Sequence, residues 1–431
     1  MIKIIIDGHP MKAKIILFLI IIILAGQVIG VSVTKEDVRT LTEPGCNTFV
    51  EWDTALDSNF TDKPGTVHQT KDGGYIVTGA GYAFDIWLIK LDNKGNKEWE
   101  NHFDYLDWDY GRDVVEVDDG YVVLGMIKQN EIAEKVVLIK TDKQGNMIWE
   151  RFISCKKHTA ADDIDVTHDD GFIITGYTSD YNVLMAYDAW LCKLDKNGYE
   201  QWNKTYEISY YNRAESVEQT SDGGYVIASG RMMYLDSESR LRVIRTDDKG
   251  EIIWDNVYGD DETWNRGHSI QITDDEGFIA LGENIIVKLD KDGETEWSKD
   301  IGGFCVQPTR DGGYIITGEQ ERINGYKDLK LTKLNENGDI SWERLLGGLR
   351  DDFGVYIEQT IGGGFIITGR RSFYVDVGPY SLIDVWVIKT KEKPALGKSI
   401  TVEKTDFERV SVLFDIIFKR YSKYDLSRYF L

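Results

Sequence analysis

The sequence predicts an all-β fold, a seven-bladed β-propeller of four-stranded blades, and three observations predict it. A glycine ahead of an aromatic residue recurs at Gly74, Gly120, Gly171, Gly224, Gly277, Gly313 and Gly364, and a tryptophan recurs at Trp52, Trp99, Trp149, Trp202, Trp254, Trp297 and Trp342, seven of each. The segments between them are apolar at consecutive positions, as strands covered on both faces are. Finally, the two ends of the array complement each other.

Each unit parses into strands a to d. Strand a ends at a Gln-Thr position, as in Ser216 to Thr220. An Asp-Gly-Gly turn follows, as at Asp72-Gly73-Gly74, where glycine is expected to supply the positive φ of a two-residue hairpin. Strand b is of the type Tyr314-Ile315-Ile316-Thr317-Gly318, and strand c of the type Trp87-Leu88-Ile89-Lys90-Leu91-Asp92. A turn such as Asp195 to Gly198 leads into strand d with its tryptophan. The tryptophans serve as structural residues that close each unit.

The distance from each tryptophan to the next repeat glycine is 22, 21, 22, 22, 23, 16 and 22 residues. Trp52 keeps the common spacing although no strands a to c precede it. At the far end Asp384-Val385-Trp386-Val387-Ile388-Lys389-Thr390 reads as a strand c, and no turn glycine or tryptophan follows. The first fragment is what the last unit lacks, so the ends should join and remove exposed sheet edges. An open β-solenoid is the rival, and it would gain nothing from the split. Unit five is cut down to Glu283-Asn284-Ile285-Ile286-Val287 between Gly282 and Lys288, which predicts a notch in one face.

The ends of the chain read differently. Met11-Lys12-Ala13-Lys14 followed by the apolar run Ile15 to Leu24 reads as a signal peptide over residues 1–30, with Met11 a second candidate start. A linker, 31–45, precedes the propeller, 46–393. The tail, 394–431, has helix-compatible apolar spacing at Val410, Leu413, Phe414, Ile417, Phe418 and Tyr421, so a short amphipathic C-terminal helix is expected, able to dock on the propeller, a partner or a membrane surface. The chain is therefore expected to be secreted or held at the cell surface, with no membrane span once the signal is removed.

Composition agrees with many short strands and tight turns: 42 glycines, 6 prolines and 12% aromatics. Net charge is −23, from 50 basic and 73 acidic side chains, which argues against nucleic acid as a partner. Four cysteines, Cys46, Cys155, Cys192 and Cys305, permit two bridges in an oxidising compartment, but buried thiols fit their scattered spacing equally well.

On the strings Gln69-Thr70-Lys71-Asp72-Gly73-Gly74-Tyr75-Ile76-Val77-Thr78-Gly79 and Asp85-Ile86-Trp87-Leu88-Ile89-Lys90, residues 46 to 393 resemble the β-propeller repeats of secreted archaeal and bacterial proteins. The Leu-Asp-x-x-Gly-x-x-x-Trp hairpin also resembles the tryptophan motif of quinoprotein-like propellers, lacking its threonine and one residue, and the Asp-box of sialidases. In those families the hairpin is structural, so the resemblance implies fold and neither redox chemistry nor a cofactor. No catalytic residue is assigned: the sequence holds no His-x-x-x-His, nucleophile elbow or phosphate-cradling loop.

Function is expected on the face carrying the b–c and d–a connections, because these vary while the a–b and c–d turns repeat. The first d–a connection is read as His102 to Tyr110. The candidate ligand-binding residues are Tyr105, Trp108, Tyr110, Tyr211, Trp264 and Tyr374, since rigid rings with polar tips give contact area at low entropy cost. Asp260, Asp261 and Glu262 are weak candidates for a calcium site, as are Asp162-Asp163 and Asp351-Asp352, with solvated loops the plain alternative. The aspartates before strand c, Asp85, Asp188, Asp328 and Asp384, are expected to order the backbone there. The expectation is a non-enzymatic binding or scaffold propeller engaging a glycan or a protein, with a glycan-active hydrolase or lyase as the alternative.

Overall fold

The computed structural model describes residues 49–56, 62–81, 85–105, 108–129, 133–180, 187–207, 211–232, 239–259, 265–322, 325–348, 350–374 and 381–392. The expected signal peptide, most of the linker with Cys46, and the C-terminal tail lie outside them. All regular structure among the described residues is strand.

The chain opens with β1 (Val50–Leu56). Blade one is β2 (Lys63–Gln69), β3 (Tyr75–Ala80), β4 (Ile86–Leu91) and β5 (Lys97–Phe103). Blade two is β6 (Trp108–Val117), β7 (Gly120–Gln129), β8 (Ala133–Asp142) and β9 (Met147–Ile153). Blade three is β10 (His158–Val166), β11 (Phe172–Ser179), β12 (Asp188–Leu194) and β13 (Glu200–Tyr206). Blade four is β14 (Tyr211–Gln219), β15 (Tyr225–Met232), β16 (Ser239–Thr246) and β17 (Ile252–Tyr258). Blade five is β18 (Gly267–Ile272), β19 (Phe278–Gly282), β20 (Ile286–Leu289) and β21 (Thr295–Lys299). Blade six is β22 (Cys305–Pro308), β23 (Tyr314–Glu321), β24 (Lys327–Leu334) and β25 (Ile340–Leu346). Blade seven holds β26 (Asp352–Gln359), β27 (Phe365–Tyr374) and β28 (Ser381–Thr390), and β1 completes it.

Each blade is an antiparallel sheet in chain order, and the last runs β26-β27-β28-β1. The closing pair sets Asp53 opposite Ile388, Thr54 opposite Val387 and Leu56 opposite Val385. The seven first strands touch in sequence from β2 to β26, and β26 touches β2, so the ring is closed. The protein is a seven-bladed β-propeller.

Blades stack through apolar faces. Strands b and c are buried along their whole described length in blade one, which is why their sequences do not alternate. Each tryptophan of strand d reaches the following blade. A Cβ on Gly145 would fall 2.5 Å from the Trp99 ring, and one on Gly250 2.8 Å from the Trp202 ring, so only glycine fits these turns. The same rings meet the aromatic that opens strand b: Trp52 with Tyr75 at 5.5 Å and Trp202 with Tyr225 at 5.7 Å between centroids. Trp342 meets Phe49 at 5.4 Å and Phe365 at 6.3 Å.

The a–b turn differs from the expected two-residue hairpin. In blade one Thr70 N donates to Gly74 O at 3.0 Å and Gly73 N to Thr70 O at 2.8 Å, which leaves a three-residue loop. Its third residue takes positive φ: Gly73, Gly223, Gly312 and Gly363, but Asp170 and Glu276 in blades three and five. Blade two alone is tighter, with Val117 paired to Gly120, and its tryptophan-to-glycine distance is the 21-residue one. In blade five the b–c connection closes by Gly282 N donating to Ile285 O at 2.8 Å, the tight turn that a shortened unit requires.

Cys155, Cys192 and Cys305 are free thiols. Burial pushes the Cys192 thiol well up and that of Cys305 to about 12, so both act as small core residues.

Candidate functional site

Seven inner strands packed in a ring present one side of each strand to the axis. In six of the seven, the pairing of strands a and b slips by at least one residue near its start, between Pro64 and Val67, Gly111 and Asp113, Ala161 and Asp163, Ala214 and Ser216, Gly267 and Ser269, and Gly354 and Tyr356. Such bulges re-aim side chains and recur beside functional sites.

Below the bulge, residues at one equivalent position link blade to blade around the axis. Thr66 Oγ1 donates to Asp113 Oδ1 at 2.6 Å, and Val217 N to Asp163 Oδ2 at 2.8 Å. Ser216 Oγ donates to Ile270 O and Ser269 Oγ to Val306 O, both at 3.4 Å, and Cys305 Sγ to Ile357 O at 3.7 Å. His68 lies 3.1 Å from Asp113, 3.2 Å from Glu358 and 3.4 Å from the Tyr356 hydroxyl.

Burial and these contacts set the charge states. Burial alone would lower His68, but hydrogen bonds to Asp113 and Glu358 outweigh it and push it to about 10. Asp113 is held below the usual carboxylate range against burial, chiefly by that imidazolium. Burial, the Asp113 charge and a hydrogen bond shared with Asp113 push Asp163 well above it. Burial also raises Glu218 to about 8, although Ile272 N donates to it at 2.8 Å.

Above the bulge lies the mouth of the channel, on the face of the d–a and b–c connections, because inner strands start there. Along blades two to five the charges alternate. Arg112 is 3.4 Å from Asp162, which takes a two-point bond from Arg213 at 2.5 and 2.8 Å. Glu215 follows, 3.5 Å from Arg213, 3.3 Å from Arg266 and 2.6 Å from His268 Nδ1. Glu283, on the shortened loop, lies 3.7 Å from Arg266. Against burial, His268 and its neighbouring arginines hold Glu215 at about 2, and Glu215 in turn raises His268.

On the other side the mouth is cationic and aromatic. Lys63 Nζ is 5.7 Å from the Trp108 ring and 5.4 Å from that of Tyr110, while the Arg112 guanidinium is 4.7 Å from Tyr110. Arg370 stands over Phe353 at 5.3 Å. Burial, then Arg112, Lys128 and Arg370, lower Lys63.

The structure brings Trp108 and Tyr110 to this mouth, but as the first residues of strand β6 and not in a d–a loop; Trp108 is 47% exposed. Tyr105 is half-buried: its hydroxyl donates to Glu150 at 2.7 Å and its ring meets Phe152 edge-on at 5.8 Å. Tyr211 and Tyr374 sit in β14 and β27, and their side chains lie outside the description. Trp264, Asp260, Asp261 and Glu262 lie outside the described residues.

Asp162 and Asp163 stand in the channel wall, not on a solvated loop. Asp351 accepts Lys327 N at 2.9 Å, and Asp352 accepts Gly348 N at 2.6 Å and Ser372 N at 3.1 Å, so backbone occupies these oxygens. Asp188 bonds Lys156 at 2.9 Å, and Asp328 bonds Arg322. Among the described residues no group of three or more His, Cys, Asp or Glu is arranged to hold a metal ion.

Sequence reasoning missed Arg112, Glu215 and His268, and named Asp162 only as a weak calcium candidate. One signal marks them: each follows a small residue (Gly111, Ala161, Ala214, Gly267) some eleven positions ahead of the repeat's aromatic. A second marks Tyr177, whose ring lies 5.2 Å from the Arg213 guanidinium, with Glu283 and Arg370, each directly after the glycine that ends the Thr-Gly or Leu-Gly of strand b.

No family model matches the chain, and no curated protein matches it. Among solved structures it is similar to a streptogramin B lyase, at 13% identity over 81% of this chain and 100% of that one, TM-score 0.49. It is also similar to the Pan2 WD40 domain of Neurospora crassa, at 9% identity over 76% and 89%, TM-score 0.49. A third is YCF48 from Cyanidioschyzon merolae, at 10% identity over 79% and 98%, TM-score 0.48. Likenesses of this size say nothing about what the chain binds.

Proposed function

We propose that the chain is an exported, non-enzymatic binding propeller that holds a glycan at the channel mouth, on the face of the b–c and d–a connections. The observation that carries this is the exposed Trp108 ring beside Tyr110 and Lys63, at the start of an inner strand. A flat ring offers its face to a sugar, while the neighbouring charged groups can bond hydroxyls. The rings stand on strands, so binding costs little ordering.

Screening against immobilised oligosaccharides tests this. Trp108→Ala should weaken any glycan bound by about tenfold or more, with the far-ultraviolet spectrum unchanged. Retained affinity in that variant would remove the mouth from the reading.

A second reading, a glycan hydrolase or lyase, is favoured by one pairing: Asp163, pushed above the usual carboxylate range by burial and by Asp113, stands beside Asp113, which His68 holds below it. It requires turnover of a bound glycan that Asp163→Asn abolishes while binding persists.

A further inference from the structure

We propose, resting on that reading, that the mouth selects a sugar carrying an oxyanion, the carboxylate of a uronic acid or a sulfate ester, and seats that group between Arg370, Arg112 and Lys63. Lys63 and Arg112 share the Tyr110 ring, at 5.4 and 4.7 Å, and β27, which carries Arg370, packs on β2, which carries Lys63, in a chain whose net charge is −23. Burial and then the neighbouring cations weigh against the charge of Lys63, and an incoming anion would offset the second of these.

The acids nearby are shared with other donors. Asp162 gives both oxygens to Arg213 and pairs with Arg112 more loosely, at 3.4 Å. Asp351 accepts a backbone N–H, and Arg370 makes no ion pair with any described carboxylate, its guanidinium lying over Phe353. The Nε atoms of Arg370 and Arg112 are buried and make no hydrogen bond among the described residues. A guanidinium held over a ring with a donor unspent is suited to a planar carboxylate or a sulfate. Trp108 and Tyr110, the rings beside Lys63 and Arg112, are those proposed to hold the sugar, so charge and ring recognition fall on one residue of a glycan.

Calorimetry with a galacturonate trisaccharide, its methyl ester and a sulfated trisaccharide tests the inference on the full chain. At least one acid form should bind about tenfold more tightly than the ester, and the preference should shrink as salt rises to about 0.5 M. Arg370→Gln should bring the ratio close to one while leaving affinity for the ester unchanged, and Lys63→Gln, made separately at an exposed position, should lower the ratio as well. Equal binding of ester and acid forms by the wild-type chain overturns the inference, as does a ratio unmoved in both variants. If the ester binds in a Trp108-dependent way without acid preference, the anion subsite falls and the glycan reading stands. Binding of none of the three sinks both.

Discussion

The buried cation of strand c shows how much one residue of the repeat accomplishes. Lys193 is buried, yet its ammonium reaches back to Asp169 of the a–b turn at 2.9 Å and to Leu194 O at 3.0 Å. Lys90 with Asp72, Lys288 with Asp275 and Lys333 with Asp311 repeat the arrangement, and in blade four Arg245 takes the place of lysine. Blade seven has no aspartate in its turn, and Lys389 turns to the Gly363 carbonyl at 2.9 Å. Asp169→Ala would leave the Lys193 ammonium short of a partner, and a cost of about 2 kcal/mol is expected in urea unfolding, moderated because Asp169 is 55% exposed. The tryptophans predict a sharper contrast. Trp254→Ala removes the ring that packs on Gly293 and Phe278, for about 3 kcal/mol, whereas Trp108→Ala at the open mouth should cost under about 0.5 kcal/mol.

At the scale of elements, inner strands and ring closure divide what the sequence reveals from what it hides. Residues that fasten blade to blade recur because every boundary poses the same packing problem, so the seven tryptophans and the repeat glycines were legible from spacing, while which ring meets which glycine was not. The closing of blade seven by Val50–Leu56 was legible for the same reason, since a missing strand leaves a countable gap. The belt around the axis was not. Thr66, Asp113, Asp163, Ser216, Ser269, Cys305 and Tyr356 fill one position with different side chains, because each needs only to donate or accept toward the next inner strand. Trp108 was misplaced into a loop because it stands outside the recurring positions of the repeat, while pairing with Lys128 makes it strand. Closure carries its own prediction. Deleting residues 49–56 bares the edge of β28, and the truncated chain should lose a single cooperative thermal transition and self-associate in light scattering. A monomer with an unchanged transition would show that the ring does not depend on the clasp.

Over the whole molecule, the titrating groups set a stability optimum on the acid side of neutral. Asp169 and Asp275 are held at about 2, against burial, by hydrogen bonds to their threonine, lysine and turn N–H partners. A carboxyl lowered on folding contributes stability that is present above its unfolded value near 4 and lost as pH falls toward 2. Glu218 acts in the opposite sense. Its folded value of about 8 means that the native state binds a proton the unfolded chain has already released, so stability declines as pH rises from about 4.5 through 8. Asp163, raised by burial and by Asp113, adds to the same slope. His68, raised to about 10, contributes fully below its unfolded value near 6.5, and that contribution fades as pH climbs toward 10. Self-repulsion of a chain carrying −23 charges steepens the alkaline side further. Thermal midpoints measured from pH 3 to 9 should therefore peak near pH 5 and fall on both sides. Glu218→Gln should flatten the decline between pH 5 and 8 while leaving the acid limb in place, because glutamine keeps an acceptor for Ile272 N without the buried charge. A curve that instead rises steadily to pH 8 in the wild-type chain would mean that the channel carboxyls ionise freely and that water fills the belt.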